Sequence, residues 1–299
     1  MRRSADGGPA TTPEGRGSAP SPWPDHLYDA YVFDMDGTIY LGDQLLPGAR
    51  RLVLELRERG IPVRFLSNNP TRDPSQYAEK LRALGIATPI SEIANTVVTM
   101  TRWLRTHHPG ATVFPIAEQP LIDSFREAGI PMSDDPAAID VVVASYDRSF
   151  DYRKLQIAFD ALWFHRRAIL VATNPDPFCP FPGGRGEPDC AAVVAAIEAC
   201  TGAKCQMVVG KPNPVMLEEA IGDLRLDPRR CLVVGDRLST DIRMAARAHM
   251  ASAMPLTGES TREDVAALDP SDRPTYVLDR VDRLLPAALW RECGWAETD

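Results

Sequence analysis

The chain has 299 residues, of which 44% are hydrophobic and 25% are charged, so it is long enough and apolar enough to bury a large core. This composition excludes a wholly disordered, collagen-like or coiled-coil protein. The formal net charge of −8 argues against a basic surface for nucleic acid or anionic lipid, and we expect a small-molecule partner, with no nucleic acid and no membrane.

The first 24 residues are dominated by residues that favour turns and disorder. Proline, glycine and serine make up half of this segment, so it has too little apolar surface to offset the entropy lost on ordering. We therefore expect residues 1–24 to form a disordered tail. The first strand is predicted at 28–33, and it ends at the acidic turn Asp34-Met35-Asp36-Gly37-Thr38.

Strands and helices alternate on both sides of a central region. Apolar residues at helical spacing predict a helix over 48–60. The other elements of this outer set are predicted at 62–66 (strand), 77–84 (helix), 206–209 (strand), 214–224 (helix) and 230–234 (strand). Such alternation predicts an α/β fold, in which a parallel sheet carries helices on both faces and ligands bind at the carboxyl ends of the strands.

A second set of alternating elements occupies the middle of the chain. Its strands are predicted at 112–116, 141–144 and 168–172, and its helices at 120–128, 152–164 and 191–199. Polar residues follow the strands of the outer set, which indicates that the functional site belongs to that set. We therefore predict a core domain formed by 25–104 and 206–299, with a smaller domain inserted at 105–205.

Two carboxylates lie two residues apart directly after the first strand. Asp34 and Asp36 suit phosphoryl transfer, because one carboxylate can attack phosphorus while the other protonates the departing oxygen. A polar strand-to-helix turn is the alternative interpretation of this motif. Attack of a carboxylate on a phosphate also meets strong repulsion, so the hypothesis requires positive charge, hydrogen-bond donors and a metal ion at the neighbouring strand ends.

Groups of the required kinds follow two other predicted strands. Ser67 and Asn68 offer a hydroxyl and an amide donor, although a helix cap or a turn explains them equally well. Lys211, one of only four lysines in the chain, lies just after a strand, where a compact ammonium can meet developing negative charge. The P-loop pattern GxxxxGK[ST] is absent from the sequence, which disfavours a nucleoside triphosphatase.

The segment Gly235-Asp236-Arg237-Leu238-Ser239-Thr240-Asp241 adds two more acids after the last strand of this set. Asp236 and Asp34 together supply hard oxygen ligands, which favour Mg²⁺ over zinc. Asp241 alone would suit a helix N-cap. The five histidines show no zinc-ligand spacing, and the six cysteines form no CxxC pair, so we expect reduced thiols and a cytoplasmic protein.

These four motifs, in this order, resemble those of the haloacid dehalogenase-like (HAD) superfamily. They are DxDGT at 34–38, Ser67, Lys211 and GDxxxxD at 235–241. Other segments narrow the resemblance to subfamily IIA, the NagD and p-nitrophenyl phosphatase group: Tyr40-Leu41-Gly42, Ser67-Asn68-Asn69-Pro70-Thr71-Arg72, Ala172-Thr173-Asn174-Pro175-Asp176, Val209-Gly210-Lys211-Pro212-Asn213-Pro214 and Ile242 after the last motif. The resemblance spans about residues 28–285 and implies a Rossmann-like core with an inserted α/β C2-type cap domain.

The resemblance also implies roles for individual residues. Asp34 would be the nucleophile that forms an aspartyl phosphate, Asp36 would be the acid that later activates water, and Lys211 would hold the phosphoryl group. The implied substrate-binding residues are Ser67, Asn68, Lys211, Asn174 and Asp176; the implied Mg²⁺ ligands are Asp34, the backbone carbonyl of Asp36, and Asp236; and Thr38 and Asp241 would orient the site from nearby.

Two positions depart from the pattern of this group. Pro188-Asp189-Cys190-Ala191 stands where many relatives have a small, glycine-containing segment before a cap helix. His249 occupies a helix C-terminus where relatives usually have glycine. We therefore expect cap contacts with the substrate, and the turn at 249, to differ from those of relatives.

The resulting expectation is a Mg²⁺-dependent phosphatase for a small phosphomonoester of the sugar phosphate or glycerol phosphate type, with a homodimer through the cap as its assembly. A phosphotransferase or phosphomutase is the alternative, because an acceptor hydroxyl competes with water for the same aspartyl phosphate. The alternative from another class is a ligand-binding protein that keeps the fold with low turnover.

Overall fold

The computed structural model of the chain describes residues 20–181 and 184–296. Its strands are β1 (Ala30–Asp34), β2 (Tyr40–Leu41), β3 (Gln44–Leu45), β4 (Val63–Ser67), β5 (Ile93–Asn95), β6 (Val113–Ile116), β7 (Val141–Ala144), β8 (Ile169–Ala172), β9 (Phe178–Phe181), β10 (Arg185–Pro188), β11 (Cys205–Val208), β12 (Cys231–Val234), β13 (Ala251–Pro255) and β14 (Tyr276–Leu278). Its helices are α1 (Ala49–Glu58), α2 (Pro74–Ala83), α3 (Thr96–His107), α4 (Gln119–Glu127), α5 (Tyr152–Phe159), α6 (Cys190–Thr201), α7 (Val215–Ile221), α8 (Arg243–Arg247), α9 (Arg262–Ala267) and α10 (Ala287–Glu292). No helix within these described ranges has the length and apolar character needed to cross a membrane.

The main sheet has six parallel strands in the order β14-β13-β12-β1-β4-β5. Successive residues of its central strands point to opposite faces, so Tyr31 and Phe33 pack into one buried cluster while Ala30 and Val32 pack into another. Both faces of the sheet are covered, as expected for parallel strands that read as continuous apolar runs. The predicted α/β architecture is confirmed.

A second parallel sheet has the order β11-β8-β7-β6 and is also buried on both faces. An antiparallel hairpin, β9 and β10, extends from it after β8. We call the segment from α3 to β11 the inserted unit, because it lies in the chain between strands of the main sheet. Its central strands consist largely of valine and alanine, which pack efficiently between two helical layers.

The predicted boundaries of the inserted domain are displaced at both ends. The strand predicted at 206–209 was assigned to the core, but β11 pairs with β8 of the second sheet. At the other end, the boundary at 104/105 cuts through α3, whose Val97, Met100 and Trp103 pack against the second sheet. Periodicity identified a strand or an apolar helix face, but it could not show which of the two sheets that element joins.

The predicted disordered tail is wrong at its C-terminal end. Ser21 pairs with the edge strand β14 through the Ser21 N–H to Thr275 O bond and the Val277 N–H to Ser21 O bond. Trp23 packs edge-to-face on Trp290 at a centroid distance of 5.8 Å. Composition did not reveal that Trp23 and the edge strand β14 can order this part of the chain. Residues 1–19 of that prediction lie outside the described residues.

The turn at His249 takes the backbone conformation that glycine normally provides. His249 has a φ of 57°, directly after α8 and its C-cap Ala248. The N–H groups of Met250 and His249 donate to the carbonyls of Ala245 and Ala246, which is the hydrogen-bond pattern of a Schellman motif. The helix therefore ends as it would with glycine, but with an L-residue in the left-handed region.

We expect His249→Gly to be more stable than His249→Ala by about 1 kcal/mol, because glycine adopts a positive φ without the steric cost of a Cβ atom. Both variants lose the imidazole, so comparing them isolates the backbone effect. Chemical denaturation of the two variants measures the difference in the free energy of unfolding. Equal stability, or a more stable alanine variant, would contradict this account of the turn.

Candidate active site

The candidate active site lies at the carboxyl edge of the main sheet, where three neighbouring strands end. Asp34 is the last residue of β1, Ser67 is the last residue of β4, and Asp236 follows β12 by two residues. Because β1 pairs with both of the other strands in parallel, their ends meet at one edge. The predicted convergence of these distant motifs is therefore observed.

A buried lysine joins two carboxylates at this edge. The Nζ atom of Lys211 donates to Asp34 Oδ1 and, at 2.7 Å, to Asp241 Oδ1. Lys211 and Asp241 are almost completely buried. Burial alone would lower the pKa of Lys211, but the carboxylates of Asp241 and Asp34 outweigh it and raise the pKa, so the ammonium stays charged.

Three carboxylates crowd around this lysine. Oxygen atoms of Asp34, Asp236 and Asp241 lie within 4.8 Å of one another. Burial raises the pKa of Asp236 to about 6, with a further contribution from Asp241. Burial likewise raises the pKa of Asp34, against the opposing effect of Lys211. One ammonium is too little positive charge for three buried carboxylates, so the cluster favours an additional cation.

One oxygen of this cluster is left without a protein partner. Oδ2 of Asp236 accepts a hydrogen bond from the Glu259 N–H at 2.8 Å, whereas its buried Oδ1 has no hydrogen-bond partner among the described residues. A buried carboxylate oxygen without a donor is costly, and a divalent cation would satisfy it. Carboxylate oxygens are the ligands that Mg²⁺ prefers, so the donor set fits the predicted ion.

Two glycine-containing loops close around Asp236. A Cβ atom on Gly37, whose φ is 89°, would lie 2.6 Å from Asp236 Oδ2, and one on Gly258 would lie 1.9 Å from the same atom. The Thr257 hydroxyl fastens these loops together by donating to Gly37 O at 2.7 Å. The loop after β13 was not predicted from the sequence. It contacts Asp236 through a backbone N–H and through a glycine that leaves room for the carboxylate, and neither feature forms a recognisable motif.

The side chains of Asp36 and Thr38 lie outside the carboxylate cluster. The Asp36 side chain is solvent-accessible, and partial desolvation raises its pKa while Lys80 opposes the rise. A solvent-accessible carboxyl of this kind can exchange a proton with solvent, which the buried acids of the cluster cannot do. Thr38 is fully buried, and its hydroxyl has no partner within the described ranges. The implied metal contact through the Asp36 carbonyl stays a prediction.

The side chain of Asn68 forms hydrogen bonds with the backbone of Lys211. Its Oδ1 accepts the Lys211 N–H at 2.8 Å, and its Nδ2 donates to Lys211 O at 3.1 Å and to Asp176 Oδ2 at 3.0 Å. Both amide protons are thus engaged. This side chain fixes the backbone of Lys211, and its implied role in substrate binding stays a prediction.

Asn174 and Asp176 are the implied substrate-binding residues of the inserted unit. Asn174 is buried, and its Nδ2 donates to Asn68 O at 3.1 Å, so it supports the loop after β4. Asp176 is half-buried and accepts from Asn68, and burial raises its pKa. Of the two, Asp176 is the side chain that the structure leaves near the surface of the site.

Ser67 presents a half-buried hydroxyl beside the cluster. Its Oγ accepts the Asn69 N–H at 3.2 Å and lies 3.0 Å from the hydroxyl of Tyr77. The structure therefore assembles a carboxylate held by an ammonium, a cluster that needs a cation, and an adjacent hydroxyl. This arrangement can bind an anionic group and offer it a nucleophilic oxygen.

Comparison with known proteins gives matches over most of the chain. A family model described as haloacid dehalogenase-like hydrolase matches residues 31–131, and a second, described as HAD-hydrolase-like, matches residues 208–284. Sugar-phosphatase AraL of Bacillus subtilis is 32% identical over 84% of this chain and 89% of that protein. The 4-nitrophenylphosphatase of Thermotoga maritima aligns with a TM-score of 0.80 and 30% identity over 86% of this chain and 95% of that chain. The glycerol phosphate phosphatase of Mycobacterium tuberculosis, in complex with magnesium, aligns with a TM-score of 0.77 and 30% identity over 86% of this chain and 77% of that chain.

The raised carboxyl pKa values predict a pH-dependent stability. Asp236, with a folded-state pKa of about 6, binds its proton more tightly in the folded than in the unfolded protein, whose value is near 4. Its contribution to the free energy of unfolding therefore decreases as pH rises from about 4 to about 6. Without metal, we expect Asp236→Asn to melt at a higher temperature than the unsubstituted protein at neutral pH, because it removes one crowded charge.

Addition of MgCl₂ should reverse this order. It should raise the melting temperature of the unsubstituted protein by several degrees, because the ion binds the folded state, and that of Asp236→Asn by much less. Thermal unfolding in EDTA and in excess MgCl₂ measures both effects. Equal Mg²⁺ shifts for the two proteins would show that Asp236 is not a ligand, whereas a destabilised metal-free variant would contradict the effect of charge crowding.

Proposed function

This chain belongs to the haloacid dehalogenase-like hydrolase family, as a phosphatase of the NagD and p-nitrophenyl phosphatase group, and we propose that it hydrolyses a small phosphomonoester in a Mg²⁺-dependent reaction through an aspartyl phosphate. The observation that carries the proposal is the contact of buried Lys211 with Asp34 inside a cluster of three carboxylates. This contact gives one carboxylate both a fixed position and a neighbouring positive charge.

In the proposed reaction, a carboxylate oxygen of Asp34 attacks phosphorus. The new O–P bond forms as the bond from phosphorus to the leaving oxygen breaks, and Asp36 gives that oxygen its proton. Water then attacks the phosphorus of the aspartyl phosphate while Asp36 takes up a proton. The second step releases phosphate and restores the Asp34 carboxylate.

The anionic phosphoryl group needs compensation throughout both steps. Lys211 supplies an ammonium, and Asn68 holds the backbone N–H and carbonyl of the same residue, so little reorganisation accompanies the reaction. Ser67 supplies a hydroxyl donor. Asp34, Asp236 and the Asp36 carbonyl would hold Mg²⁺, with Asp241 beside them. When bound, the ion would neutralise charge on the phosphoryl oxygens.

We propose a sugar phosphate or glycerol phosphate as the substrate class. The names of two relatives support it, since one is a sugar phosphatase and the other a glycerol phosphate phosphatase. The inserted unit would act as a cap over the leaving group, and Asp176 connects it to the loop after β4 through Asn68. All six cysteines are free thiols, which supports the proposed cytoplasmic location.

We expect Asp34→Asn to reduce p-nitrophenyl phosphate hydrolysis to the uncatalysed background, because the amide cannot attack phosphorus. EDTA should reduce the activity of the unsubstituted protein, and added MgCl₂ should restore it. Steady-state rates with and without chelator measure both effects. Chelator-resistant activity, or an Asp34→Asn variant with the rate of the unsubstituted protein, would overturn the mechanism.

Asp36→Asn should separate the two steps. Because p-nitrophenolate leaves readily without a proton, the variant should release it in a burst and then turn over about 10²-fold more slowly. Glycerol phosphate, whose leaving group needs the proton, should show no burst. Rapid-mixing kinetics measure the burst amplitude.

Preferential transfer of phosphate to added glycerol by the unsubstituted protein would instead favour a phosphotransferase.

We further propose a homodimer through the inserted unit. The exposed aromatic residues Tyr152, Trp163 and Phe164 lie on α5 and the turn that follows it. Phe164→Asp should shift a dimer towards monomer in sedimentation velocity, whereas Ile90→Asp, at an exposed apolar site outside the inserted unit, should not. A monomeric unsubstituted protein at all concentrations would contradict this assembly.

A further inference from the structure

The hydroxyl group of Tyr77 adjoins that of Ser67, and it has no role in the mechanism above. Tyr77 lies on α2, and its hydroxyl is 3.0 Å from Ser67 Oγ and 3.3 Å from Asn69 O. Its side chain is buried, with 4% of the residue exposed. The buried phenol of Tyr77 is therefore in contact with the hydroxyl of Ser67, which we propose as a phosphoryl-binding group.

The hydrogens available to these groups fix the direction of the bonds when phosphate is present. Ser67 has one proton and two lone pairs, and one lone pair already accepts the Asn69 N–H at 3.2 Å. Phosphoryl oxygens only accept hydrogen bonds when ionised, so Ser67 must give its proton to the phosphoryl group. The Tyr77 hydroxyl is then free to donate to the remaining lone pair of Ser67, since the Ser67 proton no longer points at it.

Without phosphate, the same atoms allow a competing arrangement. Tyr77 can donate to Asn69 O, and Ser67 can then donate to the Tyr77 oxygen, which turns the Ser67 proton away from the substrate. Binding of an anion selects the arrangement Tyr77 to Ser67 to phosphoryl oxygen. Hydrogen bonds in such a chain polarise one another, so the tyrosine strengthens the serine as a donor.

The fold holds Tyr77 in place from the start of its helix. Asp73 caps α2 by accepting from the N–H groups of Ser75 and Gln76 at 2.7 and 3.1 Å, and Gln76 Oε1 accepts the Asp73 N–H in return. This capping box lies directly before Tyr77. Burial raises the pKa of Tyr77 to about 12, so the phenol keeps its proton at neutral pH.

We propose that Tyr77 is a positioning residue for phosphoryl binding: its hydroxyl donates to Ser67 Oγ and thereby directs the single Ser67 proton to the substrate. This inference rests on the proposed function, because it takes Ser67 as a phosphoryl-binding group. It adds a residue that none of the four motifs contains.

A double-mutant cycle tests the proposal with Tyr77→Phe, Ser67→Ala and the combined variant. Loss of one hydrogen bond predicts that Tyr77→Phe lowers kcat/KM for p-nitrophenyl phosphate about fivefold and weakens inorganic phosphate binding about fivefold. In the Ser67→Ala background, the same change should alter either quantity less than about twofold, because the group through which Tyr77 acts is missing. Titration calorimetry with inorganic phosphate provides the binding arm where turnover is too slow to measure.

Tyr276→Phe is the matched control. Tyr276 is also buried, and its hydroxyl lies 3.0 Å from that of Tyr28, at the β14 edge of the main sheet. This variant removes one hydroxyl from a buried pair, so it should change the melting temperature while leaving kcat/KM and phosphate binding unchanged. Thermal unfolding of every variant separates loss of fold from loss of function.

Equal effects of Tyr77→Phe in both backgrounds would overturn the proposal and assign Tyr77 a purely structural role, as would an unchanged kcat/KM in the single variant. Failure of the proposed function has a different signature, because the unsubstituted protein would then release no phosphate from any phosphomonoester in the presence of Mg²⁺. An active protein without coupling between the two hydroxyls therefore rejects only the role of Tyr77.

Discussion

Crowding of negative charge at one buried edge of a sheet is the constraint on which the site depends. Asp34, Asp236 and Asp241 share this edge with a single ammonium, and burial makes their mutual repulsion stronger than it would be in water. Neighbouring residues hold this cluster in place, and a bound cation would offset its repulsion. The anion-binding chemistry follows from the same imbalance, because the groups that tolerate these carboxylates also stabilise a phosphoryl group.

The surrounding residues contribute mainly by fixing backbone. Asn68 forms hydrogen bonds with the backbone N–H and carbonyl of Lys211, and glycines at 37 and 258 let two loops approach Asp236. These contacts cost little conformational entropy during the reaction because they are already formed in the folded chain. The reacting groups are therefore few, whereas the residues that position them come from both the main sheet and the inserted unit.

The sequence predicted the part of this arrangement that depends on strand order and charge. Asp34, Ser67 and Asp236 follow apolar runs of the main sheet, whose parallel strands bring such positions to one edge, whereas Lys211 follows a strand of the second sheet. Pairing partners were harder to predict, since the apolar pattern of β11 fits either sheet and only the folded chain shows that it joins β8. The contacts of Asn68 with the backbone of Lys211 were not predicted for a similar reason, because an amide has equal chemistry towards substrate and backbone. Tyr77 was read only as part of a helix, and nothing in its spacing indicates that its hydroxyl reaches back to Ser67.

The pairing of β11 with the second sheet has a mechanical consequence. Only Val209 and Gly210 separate the end of this strand from Lys211, and the three residue steps from Val208 to Lys211 span at most about 11 Å. One of the two connections between the inserted unit and the main sheet therefore lies close to Lys211, and a rotation of the unit about this connection would move the lysine little. The far end of the unit would move much further in such a rotation. Access of large molecules to the site would then change while Lys211 stays almost stationary.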